Sequence, residues 1–201
     1  MTLATYDDSM SMRDARRVYF AVNRFGEDGG YGDRWVDFHL GPLPMPFPNT
    51  PARVRAVGYH DLHHVLTGYD TDTLGELEIS AWELGAGCRG FFAAWQLNLG
   101  GLAAGAFATP SRVFRAFVRG RGERSLYGEE LEPLLDRTVG ELRASHASGH
   151  RRPATAADVA WFALAVVAGT AVGLTTLAVI LPLLPFGLVA GMIRKQSAVT
   201  S

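Results

Sequence analysis

The sequence predicts an all-α domain followed by an apolar C-terminal segment that enters a membrane. Three observations predict it. Apolar residues recur at three- and four-residue spacing within Ser9–Phe25, and helix starts and stops follow from Thr50 onward. No stretch sustains the two-residue alternation of a half-buried strand. Between Asp158 and Arg194 no residue carries a formal charge, well beyond the roughly 20 apolar residues a helix needs to cross a bilayer.

The chain has 201 residues, 48% hydrophobic and 19% charged. That composition excludes a disordered chain, because ample apolar surface is there to bury. The net charge of −1 provides no positive field to hold a phosphate backbone, so nucleic acid is not expected as a partner. A single cysteine excludes an intrachain disulfide and a cysteine-built metal site. The acidic start, with Asp7 and Asp8, does not read as a secretory signal.

Five regions follow: an N-terminal helix and proline-rich loop (1–50), a helical domain (51–143), a linker (144–158), a membrane segment (159–193) and a tail (194–201). Ser9 to Phe25 reads as a helix, with Val18, Ala21, Val22 and Phe25 on its apolar side. Gly26 to Gly32 is a loop, and Trp35 to Leu40 a short strand or turn. From Gly41 to Pro51, proline at every second position excludes helix and central strand. It favours an extended segment, either a stiff connector or a flap over a substrate. Thr50-Pro51 pairs an N-cap with a proline at the first helical position, and that helix ends at Gly68. A second helix begins at Thr73. Others are expected near Cys88–Leu99, with a break at Gly100-Gly101, and at Pro110–Arg119 and Leu131–Arg143. Gly90 to Ser111 carries no charge and reads as a core helix with one side able to face lipid. His146 and His150 fall in the linker and are expected to be solvated.

The C-terminal run is too long for one upright span and short for two. One span over about Trp161 to Leu181 can end at Pro182 and Pro185, leaving Phe186 to Ile193 at the interface. A hairpin can instead turn near Leu181–Pro185. Arg151 and Arg152 before the run, with Arg194 and Lys195 after it, suit the hairpin and are also compatible with a single span whose upstream side, richer in Arg, faces the cytoplasm. Buried helices of a soluble core are the competing reading.

Three of the six histidines lie in Tyr59-His60-Asp61-Leu62-His63-His64. On a helix, His60 and His64 project from one face, and Asp61 is offset by about 100° toward His64. Two imidazoles and a carboxylate are fit ligands for a divalent cation such as zinc, manganese or iron. A short turn between antiparallel helices can bring Glu76 opposite His64. Glu83, on Glu76's face, can accept a ligand N–H. Each has a structural alternative. Glu76 can close a capping box with Thr73, Asp61 can pair with Arg55, and His63 reads as structural.

Gly58-Tyr-His60-Asp61-Leu-His-His64-Val-Leu-Thr-Gly68, followed by Leu74-Gly75-Glu76, resembles the signature of the Coq-four family of ubiquinone-biosynthesis proteins. That signature is His-Asp-x-x-His, eleven residues, then Glu; here the eleven run from Val65 to Gly75. Weaker similarity extends from about Pro51 to Arg143. The resemblance implies an all-α fold and a divalent metal, zinc first and manganese or iron as alternatives. It implies His60, Asp61, His64 and Glu76 as ligands, acting in catalysis through that metal. It implies oxidative decarboxylation, meaning C1 decarboxylation and hydroxylation, of a polyprenylated hydroxybenzoate-type ring. Its partners would be that polyprenylated aromatic substrate, membrane lipid and other ubiquinone-biosynthesis proteins. A homo-oligomer is compatible with this. The place would be a bacterial inner membrane, with the helical domain on its cytoplasmic side. The short N-terminal region and the apolar C-terminal segment depart from the family pattern.

The substrate's tail is expected along Phe91, Phe92, Trp95, Leu97 and Leu102, which can equally be core. Two rivals are a non-catalytic lipid-binding scaffold for the biosynthetic enzymes and a His-Asp phosphohydrolase that recruits His39 and Asp136.

Overall fold

A computed structural model describes residues 6–36, 39–40, 43–44, 47–149 and 152–183. His150, Arg151 and everything after Leu183 lie outside it. So do the expectations of an interfacial 186–193 segment, of a returning hairpin arm, and of the Arg194 and Lys195 flank. Among the described residues the fold is all-α, with eight helices: α1 (Met12–Asn23), α2 (Pro51–Thr67), α3 (Thr73–Ala86), α4 (Phe92–Ala108), α5 (Pro110–Arg121), α6 (Leu131–Asp136), α7 (Val139–His146) and α8 (Ala156–Ile180). A single 3-10 turn, Leu181–Leu183, follows α8.

α1 begins at Ser11, whose hydroxyl caps Asp14 N–H. Its buried side chains are Met12, Ala15, Tyr19 and Phe20, while Val18, Val22 and Phe25 are exposed. The expected apolar face is therefore rotated. The two aromatic rings decide the phase, because they offer the most area to bury. Tyr19 stacks on His64, and Phe20 meets Tyr31 edge to face.

The proline-rich segment does not merely connect. Its described residues make short antiparallel pairs with described residues of the preceding stretch. β1 (Trp35–Val36) pairs with β4 (Phe47–Pro48), and β2 (His39–Leu40) with β3 (Leu43–Pro44). Asn49 ties this hairpin to the glycine loop by donating to the carbonyls of Gly30 and Asp33.

α3, α4 and α5 pack closely through glycines. A methyl group on Gly120 would collide with the Trp82 carbonyl, and one on Gly85 with the Phe117 carbonyl. α4 runs unbroken through Gly100-Gly101, contrary to expectation. Gly101 lets α4 approach Ser80 of α3, so the glycine serves close packing and not a turn. The expected Leu131–Arg143 helix is two helices. Thr138 opens a fresh capping box with Glu141, and the backbone there pairs with the 10–12 segment through Met12 N–Arg137 O and Val139 N–Met10 O.

His146 is buried, not solvated. Its ring bonds the Glu129 carboxylate at 2.6 Å and Ser145 at 2.8 Å. α8 is also held to the domain. Asp158, 1% exposed, accepts from Arg121 and Arg152, and Phe162 lies between Phe114 and Phe117. Ala156–Val179 is long and apolar enough to cross a membrane.

Candidate metal centre

Both ends of α2 are fixed, which sets the rotation of its histidines. Thr50 caps Arg53 N–H, and Pro51 supplies a preset first-turn φ. At the other end, Gly68 takes the left-handed conformation (φ 75°) and donates to the His64 carbonyl. The last carbonyls, which have no partner within a helix, are met by two arginines. Arg143 donates to Val65 and Leu66, and Arg119 to Thr67.

α3 starts at Thr73, as expected, but its cap is the residue before. Asp72 is the N-cap, accepting from Gly75 N–H at 2.8 Å. An aspartate carboxylate is the stronger acceptor at a helix N-terminus, so Glu76 closes no capping box. Its carboxylate is free to face α2. Glu76 Oε2 lies 3.2 Å from His60 Nε2, and Oε1 lies 3.2 Å from His64 Nε2. The two Nε2 atoms are 3.1 Å apart.

The partners of the other ring nitrogens define what these three atoms are. His64 Nδ1 faces the Tyr69 carbonyl at 2.9 Å, and His60 Nδ1 faces Glu83 Oε1 at 2.9 Å. Both partners only accept, so both Nδ1 atoms carry hydrogens. Each Nε2 then presents a lone pair in the neutral ring. Two lone pairs and a carboxylate then converge, and only an added proton on an imidazole would give them a donor. Such a constellation needs a cation, either a proton or a metal. The donor set of His60, His64 and Glu76 can hold a metal ion. Ligands about 2.05 Å from a tetrahedral zinc stand about 3.3 Å apart, and those of a six-coordinate ion about 3.0 Å. The two imidazole nitrogens, 3.1 Å apart, fall near these spacings, and the carboxylate reaches one ring through each of its oxygens at 3.2 Å.

Electrostatics agree with the need for a cation. Burial opposes charge on His60, but Glu83 and Glu76 outweigh it and hold its proton affinity well above the ordinary histidine value. Burial would raise Glu76, yet hydrogen bonds and charge from His60 and His64 pull it far below the usual carboxylate range. Its side chain is 44% exposed, so the centre opens to the outside on this side.

Glu83 is fully buried and completely bonded. Oε1 accepts from His60 and from His63 (2.7 Å), and Oε2 from Tyr127 (2.8 Å) and Asn98. Burial would raise it, but the two imidazoles hold it well below its usual range. The outer acceptor expected from spacing is therefore present. His63 is structural, as expected: burial lowers its proton affinity, and its Nε2 accepts from Leu126 N–H at 2.9 Å.

Asp61 does not join the three converging ligand atoms. It is buried, and it accepts from the Tyr31 hydroxyl, not from Arg55. Burial pushes its carboxyl upward, and it stays within electrostatic reach of His60, His64 and Glu76. Burial and then Asp61 also raise the Tyr31 phenol.

The expected tail-binding residues do not line one groove. Leu102 is in the core, Phe91 packs on Tyr59 and Tyr127, and Phe92, Trp95 and Leu97 are exposed. Helical periodicity sends neighbours in sequence to different faces. Asp136 pairs with Arg13 at the surface, on a helix that packs against α1.

Four participants escaped sequence reasoning: Tyr31, Asn98, Tyr127 and the Tyr69 carbonyl. Only Asn98 carried a signal, as an amide inside an uncharged helix. Comparisons with protein-family models, curated proteins and solved structures gave no match.

Proposed function

We propose that this protein is a membrane-anchored, metal-dependent enzyme of ubiquinone biosynthesis. In this reading it replaces the C1 carboxyl of a polyprenylated hydroxybenzoate-type ring by hydroxyl. The carboxyl leaves as carbon dioxide, water supplies the ring hydroxyl, and dioxygen takes the two electrons and two protons and leaves as hydrogen peroxide. The observation that carries this is the meeting of His60 Nε2, His64 Nε2 and the Glu76 carboxylate, three groups that can each ligate one cation. The motif His60-Asp61-x-x-His64 with Glu76 at the family spacing supplies the pathway assignment.

When bound, a divalent cation supplies Lewis acidity toward the ring carboxylate and, as iron or manganese, a redox partner for the hydroxylation. Zinc fits the donor set equally, as a Lewis acid alone. The chain's own residues do the rest. His60 and His64 present Nε2 because Glu83 and the Tyr69 carbonyl hold their Nδ1 hydrogens. Glu76 stands at the open side, where a substrate would arrive. The buried Asp61–Tyr31 pair holds a proton beside the centre. α8 keeps the site at the bilayer, where so apolar a substrate concentrates.

His60→Ala and Glu76→Ala test the assignment. Each is expected to lose most bound metal, measured by mass spectrometry of purified protein, and to lower cellular quinone with build-up of the carboxylated precursor. Unchanged metal and quinone in both variants would remove the reading. Turnover of a carboxylated prenyl phenol by the purified protein separates an enzyme from a scaffold that binds without reaction.

Metal uptake should also release protons. His60 binds a proton tightly in the metal-free protein, and a metal must displace it. Apparent affinity should therefore rise about tenfold per pH unit, levelling only above His60's raised value. Titration calorimetry in two buffers of different ionisation heat reads this directly. Equal heats at neutral pH would mean that no proton leaves.

A further inference from the structure

We propose that α4 lies within the lipid beside α8, so that the chain enters the bilayer as a packed helix pair and not as a soluble domain on a tether. This rests on α8 crossing the membrane, as proposed above.

The argument is one of depth. Ala156–Val179, 24 residues, is the apolar span, and Gly169 falls close to its middle. Contacts with the domain continue down to that point. Asp158 meets Arg121, Phe162 meets Phe114 and Phe117, and Gly169 sits so close to α4 that a methyl group on it would collide with the Leu99 carbonyl and touch Ala103. From Asp158 to Gly169 is about 16 Å along a helix, roughly half of a ~30 Å hydrocarbon core. A helix that crosses with its middle pressed against Leu99 brings α4 into the same slab.

α4 is built for that place. No residue from Gly90 to Ser111 carries a formal charge. Its backbone is satisfied within the helix, as lipid requires. Its outer side leaves Phe92 81%, Leu97 59% and Phe107 76% exposed. Large aromatic and aliphatic side chains left bare in one area mark an interaction surface. α8, against which α4 packs, likewise leaves Leu164, Val167 and Leu174 exposed. Because α4 packs on α8 at mid-span, its occupant is the one α8 requires, the acyl chains. Asn98 is turned inward to Glu83, which leaves Gln96 as the polar side chain on the outer surface. With α4 immersed, a lipid-soluble substrate approaches the helix that carries Asn98 without crossing water.

The test uses the full chain in vesicles of phosphatidylcholine and phosphatidylglycerol. Cys88→Ala removes the native thiol. Leu97→Cys and Phe107→Cys on α4, Val167→Cys on α8 and Arg17→Cys on α1 are labelled singly with an environment-sensitive fluorophore. Brominated lipid chains quench from the membrane, and iodide quenches from water. We expect the labels at 97, 107 and 167 to be quenched several-fold more by brominated lipid than by iodide, and the label at 17 the reverse. Iodide quenching at 97 and 107, with lipid quenching at 167, would overturn the proposal while leaving the α8 anchor intact. Iodide quenching at all three would overturn both. Circular dichroism of each variant confirms that the helices are retained.

Discussion

Replacing Glu83 by alanine is expected to damage both stability and metal binding. Four donors lose their acceptor at once: the His60 and His63 Nδ1 hydrogens, the Tyr127 hydroxyl and the Asn98 amide. Removing one partner of a buried charged network typically costs about 3–5 kcal/mol. His60 also loses the acceptor that keeps its Nε2 free, and removing such an outer partner lowers metal affinity about 10- to 100-fold. Glu83→Gln keeps the volume but turns an amide donor toward at least one of the same donors. It should keep more of the stability and still bind metal less tightly. Denaturant unfolding and competition with a chromophoric chelator read the two effects separately. A less stable Glu83→Gln protein with unchanged metal affinity would show that Glu83 holds the core and does not position His60.

Gly120→Val is expected to prevent α3 and α5 from packing. Their backbones approach so closely that even a Cβ on Gly120 collides with the Trp82 carbonyl, and Gly85 makes the reciprocal contact with Phe117. A carbonyl oxygen on a helix backbone cannot swing aside as a side chain can. The cost should lie at or above the upper end of the about 1–3 kcal/mol typical of overpacked cores. The metal centre should loosen with it, because α3 carries both Glu76 and Glu83. Gly100→Ala is the control. Nothing lies within 4 Å of a methyl group there, and a helix interior gains about 0.5–1 kcal/mol when glycine becomes alanine. Thermal unfolding in detergent should thus move the two variants in opposite directions. Equal melting temperatures would mean that the α3–α5 contact is not limiting for stability.

The limits of α2 were legible because local chemistry sets them. A threonine cap, a proline in the first turn and a glycine able to take positive φ act within a few residues of themselves. The projection of His60 and His64 from one face follows from helix geometry alone. The charge-free C-terminal run was legible for the same reason, since length and apolarity are properties of the segment. The phase of α1 was not. Val18, Val22 and Phe25 make a good apolar stripe, but Tyr19 and Phe20 found rings to pack on in His64 and Tyr31.

Glu76 shows the division most plainly. Its distance along the chain from His64 was visible, together with two uses for its carboxylate. Asp72 capping Gly75 left it free to meet the imidazoles. The same holds for Asp61, whose partner Tyr31 comes from thirty residues away, and for His146, which found Glu129.

By itself, then, the sequence determined the helical class, the histidine-bearing helix with its ends, the supply of ligand chemistry and the apolar C-terminal helix. Only the tertiary structure decided which three side chains meet, which carboxylate supports them from behind and which helix α8 lies against. The reason is physical. Caps, periodicity and apolar length are written in neighbouring residues, whereas a ligand sphere is closed by groups far apart in the chain, and their meeting depends on how whole helices pack.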